Sequence, residues 1–158
     1  MVKKWMLVFL IGILIILSGC GGNTSSELTG SKPPETNIQI GNETFPTTLG
    51  TYCWSSMFKG VCVDTAGPEA LLEGKKPIVV QPGEEVTFVM DYEPLPNEVH
   101  VAYYQGDKET EVKVENHRFT APEEKGVYYY SYGVWWMDEN EENVSNGDAF
   151  YACALEVK

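Results

Sequence analysis

Val127-Tyr128-Tyr129-Tyr130-Ser131-Tyr132-Gly133-Val134-Trp135-Trp136 reads as one long β-strand. Aromatic and β-branched side chains suit a pleated, half-buried surface, and the period of two divides the stretch into two faces. Tyr128, Tyr130, Tyr132 and Val134 form one face, and Val127, Tyr129, Ser131, Gly133 and Trp135 the other. The first face is apolar enough to build a core, which turns the second outward.

Similar alternation recurs on both sides. Ile38 and Ile40 mark a first strand, Thr48 to Trp54 and Val61 to Asp64 flank a hairpin loop, and Val86, Phe88 and Met90 alternate with polar or smaller neighbours, as do Val99, Val101 and Tyr103. Val112 to Val114, Phe119 to Ala121 and Ala149 to Val157 complete the set. Gly, Pro, Asn and Asp separate these runs at intervals typical of an all-β domain. A single helix is expected, from Pro68 to Glu73, with Pro at its start and Gly74 just past its end. Residues 37–158 have the size and apolar content of one domain with one core, and no internal repeat is visible.

The corner Glu124-Lys125-Gly126-Val127-Tyr128-Tyr129-Tyr130 resembles the immunoglobulin-type turn into a late strand. Pro82-Gly83-Glu84-Glu85 before one strand and Ala121-Pro122 before the corner are similar to bacterial immunoglobulin-like surface domains, and the resemblance covers most of 77–158. It implies an antiparallel immunoglobulin-like β-sandwich in which the Tyr128 hydroxyl ties back to the corner. Tyr130 then occupies the place where antibody domains carry a cysteine. Sandwiches of this kind serve many functions, so no activity follows from the fold.

The N-terminus has signal-peptide anatomy: Lys3 and Lys4, an apolar run from Trp5 to Leu17, then small residues. The run is shorter than the roughly 18 residues a spanning helix needs. Leu17-Ser18-Gly19-Cys20 resembles the lipobox of bacterial lipoproteins. That resemblance implies a leader over 1–19, a diacylglycerol on the Cys20 thiol, and attachment to the extracytoplasmic face of the cell membrane. Residues 20–36, rich in Gly, Ser, Thr, Pro and Asn, read as the lipidated cysteine and a flexible tether. The mature segment is also similar to uncharacterised lipoproteins and surface domains of Gram-positive bacteria carrying the pattern Gly50-Thr51-Tyr52-Cys53-Trp54 and Cys62-Val63-Asp64. No activity comes with that similarity.

Charge excludes one class of partner. The chain carries 23 acidic residues against 11 basic ones, a formal charge of −12, and loss of Lys3 and Lys4 with the leader takes it to −14. Nucleic acid, which demands concentrated Lys and Arg, is not an expected partner. Cys53 and Cys62 lie in neighbouring expected strands around a short loop, where antiparallel pairing brings Cβ atoms within bridging distance. A disulfide is expected there, the alternative being two reduced, buried thiols. Cys153 alternates with Tyr151 and Leu155 on one face of the last strand, which suits core packing.

Catalysis finds no motif. There is no Gly-x-Ser-x-Gly, no His-Glu-x-x-His and no P-loop, so neither enzyme activity, a cofactor nor a metal centre is expected. His100 and His117 have no partner at metal-ligand spacing. Asp138, Asn140, Glu142 and Asp148 supply hard oxygens and form a candidate calcium loop, although Asn143 and Ala149 stand where an EF-hand needs Gly and Glu. The simpler reading of that segment is a solvated hairpin ending in the turn Asn146-Gly147. Tyr129 and Trp135, both outward, form the candidate recognition surface, since such rings stack on sugars or anchor protein interfaces. The expected function is therefore a non-catalytic, lipid-anchored binding module for an envelope protein or cell-wall polymer, such as an envelope sensor or inhibitor accessory, with a calcium- or glycan-binding surface domain as the alternative.

Overall fold

A computed structural model describes residues 28–56 and 59–158; the expected leader, Cys20 and the first part of the expected tether lie outside the described residues. Among the described residues, eleven strands and one short helix follow one another: β1 (Thr36–Ile40), β2 (Glu43–Pro46), β3 (Thr48–Ser56), β4 (Lys59–Val63), α1 (Pro68–Leu71), β5 (Ile78–Val80), β6 (Glu85–Met90), β7 (Glu98–Gln105), β8 (Lys108–Val112), β9 (Arg118–Thr120), β10 (Gly126–Met137) and β11 (Ser145–Val157). They form two sheets packed face to face, an all-β sandwich compatible with an immunoglobulin-like fold. The smaller sheet runs β2-β1-β6-β9. The wider runs β4-β3-β11-β10-β7-β8, with β5 added in parallel to β11.

Strand β10 is the spine of the wider sheet. Tyr128, Tyr130, Tyr132 and Val134 are all buried in the core, as the alternation requires, and Trp136 joins them. Phe88 of β6 stacks on Tyr132 with ring centroids 3.8 Å apart, and Phe119 of β9 lies against Tyr130 at 4.8 Å, so aromatic pairs fasten one sheet to the other. Full burial of each such side chain stabilises the fold by about 1.5–3 kcal/mol. The corner is closed as the immunoglobulin resemblance implies: Tyr128 Oη donates to the Glu124 carbonyl at 2.7 Å.

Three expectations need correction. Residues 28–36, read as the end of a flexible tether, belong to the folded domain. Leu28 is buried against Trp54, Trp54 Nε1 donates to the Gly30 carbonyl, and Tyr151 Oη donates to that of Pro34. One leucine gives no periodicity to read, yet it caps an edge-on cluster of Trp54, Tyr92 and Trp136. Next, Asn146-Gly147 is not a turn, because β11 already begins at Ser145. The reversal spans Asp138 to Val144, closed by Asp138 N donating to the Val144 carbonyl, and the left-handed residue is Asn143 at φ 62°. Gly147 is instead a packing glycine, since a Cβ there would lie 2.6 Å from Leu28 Cδ1 and 2.8 Å from Trp54 Cε3. Finally, β2 and β5 were not expected. β2 is an exposed edge turning back on β1 through Gly41, φ 56°, and β5 is only three residues long.

The helix starts at Pro68 as expected and ends within one turn, with Gly74 at φ 76° beyond it. It has a structural job. Leu72, just past its end, is buried on Ala152 and Ala154 of the outer face of the wider sheet, with Leu71, Tyr129 and Phe150 packed around.

Candidate functional site

The outer face of the wider sheet holds the aromatic residues that the core does not use. By register, Trp135 lies between Glu98 of β7 and Asp148 of β11, and Gly133 between His100 and Phe150. Trp135 folds back over Gly133: a Cβ at that position would lie 2.8 Å from the indole Cη2. Phe150 does the same over Gly50, where an added Cβ would fall within its ring. Two glycines thus let two rings lie against the backbone, each half-buried and fixed from beneath. What results is a fixed aromatic platform with carboxylates on both flanks, suited to stacking against a sugar face or a cationic group.

The two residues singled out from sequence share this face but not one patch. Tyr129 is paired with Tyr104 and Ala154, six residues from Trp135 along β10, a separation of about 20 Å. Tyr129 belongs to the cluster under Leu72. Phe150, which the parity of β11 could have assigned outward from Tyr151 and Cys153, lies opposite Gly133 in register and also packs on the Leu72 cluster, so it stands between the two. Ser131 and Ala102 lie between Tyr129 and Trp135 in register, while Ala152 is covered by the Leu72 cluster.

Cys53 and Cys62 form the expected disulfide, directly opposite one another across β3 and β4 with Cα atoms 4.1 Å apart. Cys153 is free and buried, and burial pushes its thiol up to about 12. A protonated, enclosed thiol is a poor nucleophile.

Oxygens of the candidate calcium loop do not converge. Asp138 Oδ1 accepts from the backbone N–H groups of Asn140 and Glu141 at 2.8 and 3.1 Å, and Oδ2 from Asn146 Nδ2 at 3.1 Å. These bonds hold its carboxyl below the usual carboxylate range and show that it shapes the loop. Asp148 faces elsewhere, accepting from Cys53 N, and Glu142 is exposed. Among the described residues no three His, Cys, Asp or Glu side chains are grouped to hold a metal ion. The histidines are apart as well: His100 Nε2 sits 3.3 Å from Glu111 on the outer face, while His117 Nδ1 meets Tyr132 Oη at 3.3 Å between the sheets.

No family model matches this chain, and no curated protein or solved structure matches it either.

Proposed function

We propose that this chain is a non-catalytic recognition module, held by a diacylglycerol on Cys20 at the extracytoplasmic face of the cell membrane, that engages an envelope protein or cell-wall polymer through the platform around Trp135. The observation that carries the reading is the seating of Trp135 on Gly133. The indole folds back with its Cη2 and Cζ3 over Gly133 and is half-buried, so little side-chain entropy is lost when a partner meets the part that stays exposed. A lipid anchor adds to this by confining the module near envelope components, which raises effective concentration without any new contact.

Crosslinking in intact envelopes, comparing the wild type with Trp135→Ala, tests the platform. A true anchor residue costs about 2 kcal/mol or more on truncation, so the principal crosslinked species should fall about thirtyfold or more in yield at sub-saturating levels. An unchanged set of crosslinked species rejects the platform. Mass spectrometry of the mature N-terminus tests the anchor separately, and an unmodified Cys20 thiol rejects it.

A further inference from the structure

The sandwich is open along one side, where β8 ends the wider sheet and β9 ends the smaller one. Between these edges lies a trough of about 620 Å³, with Tyr103, Phe119 and Tyr130 on its floor. Its size falls within the roughly 300–1,000 Å³ of ordinary binding clefts. Two buried hydroxyls in this region, Thr110 Oγ1 and Tyr130 Oη, have no hydrogen-bond partner. They belong to one cross-strand row, Thr110 opposite Tyr103 and Tyr103 opposite Tyr130, and Tyr130 is wholly buried. Of the two, Tyr130 alone lines the trough, and buried polar groups of this kind are ordinarily satisfied.

We infer that this trough takes an extended basic polypeptide segment, added as a strand to the free edge of β8. Strand addition follows from the edge itself, whose unpaired N–H and C=O groups are a template for another chain, and from the trough, which receives alternate side chains. Register sets the sequence of the guest. Glu109 and Glu111 of β8 lie opposite Tyr104 and Ala102 on the outer face, while Thr110 and Val112 lie opposite Tyr103 and Val101 on the inner one. A guest strand therefore carries Lys or Arg beside Glu109 and Glu111, and apolar residues beside Thr110 and Val112. Lys113 is paired with Glu115 and Arg118 with Glu85, which leaves the His100 imidazole, 3.3 Å from Glu111, as the neighbour a guest cation must displace. The net charge of −12 draws the same kind of guest from a distance.

The test uses the full chain in detergent and a blocked peptide, Lys-Val-Lys-Val-Lys-Val, with the isomer Lys-Lys-Lys-Val-Val-Val as control. Hydrogen exchange should slow in β8, residues 108–112, with the alternating peptide and not with its isomer. The exposed double variant Glu109→Lys/Glu111→Lys should weaken binding about tenfold, and Trp135→Ala should leave it unchanged. Equal binding of the two isomers, protection mapped to any other strand, or no binding of the alternating peptide would each overturn the assignment.

Discussion

Tyr128 and Tyr130 point into the same core one pleat apart, and their hydroxyls meet opposite fates. Tyr128 Oη donates to the Glu124 carbonyl; Tyr130 Oη is buried with no partner. Burial raises both phenols, that of Tyr130 far more. Tyr128→Phe should therefore lose about 1 kcal/mol, the net worth of one hydrogen bond, whereas Tyr130→Phe should leave stability unchanged or raise it by up to about 1 kcal/mol. Urea unfolding of the two variants decides it, and an equal loss in both would mean that the Tyr130 hydroxyl has found a partner. The first of these fates was legible in sequence, because a tyrosine corner is a local motif, here the five residues from Glu124 to Tyr128. The second was not, since a hydroxyl's solitude depends on which residues the neighbouring strands and the opposite sheet bring to it. Gly147 makes the same point: in sequence Asn-Gly spells a turn, and only the arrival of Leu28 and Trp54 reveals a glycine needed for packing.

At the level of elements, the β3–β4 hairpin was readable because its signals were both local: two β-rich runs, and a cysteine in each at matching distance from the loop. β4 lies at the edge of the wider sheet with every residue exposed, including Val61 and Val63, so little packing holds it. The Cys53–Cys62 bridge should accordingly carry much of its stability. Closing a loop of this length is worth about 2.5 kcal/mol in the chain-entropy account. Cys53→Ala/Cys62→Ala should lower the unfolding free energy by about that amount, with hydrogen exchange accelerating first in 59–63. A variant as stable as the wild type would show that β4 is held by something other than the bridge. The weakly patterned elements were the ones missed. β2 buries almost nothing and β5 is too short to alternate, and each takes its place from a partner strand distant in sequence. For the same reason the recognition face was half visible: the parity of β10 turned Tyr129 and Trp135 outward, but Leu72 over one and Phe150 beside the other follow from tertiary pairing.

For the whole molecule, the apolar core also encloses several phenols and one thiol, and their burial favours the neutral forms. Desolvation raises Tyr132 from 10.0 to about 12 and Cys153 from 9.0 to about 12, and it pushes Tyr130 and Tyr151 higher still. For acids that lose a proton to become anions, a raised folded-state value means the native state holds its protons more tightly than the unfolded chain. The associated stability is complete below the unfolded values, and it is lost as the pH rises from about 9 toward 12. Several groups in one core titrate together, so alkaline unfolding should be steep and cooperative. Tyr132→Phe and Cys153→Ala should each flatten the slope by removing up to one proton, packing losses shifting the curve without altering its shape. The free thiol provides an independent readout. In the native state at mildly alkaline pH, Cys153 should resist a water-soluble disulfide reagent, and it should react at once in denaturant. Fast labelling of the folded chain, or urea midpoints flat across that pH range, would show that the aromatic core admits water and that the two sheets are not sealed against each other.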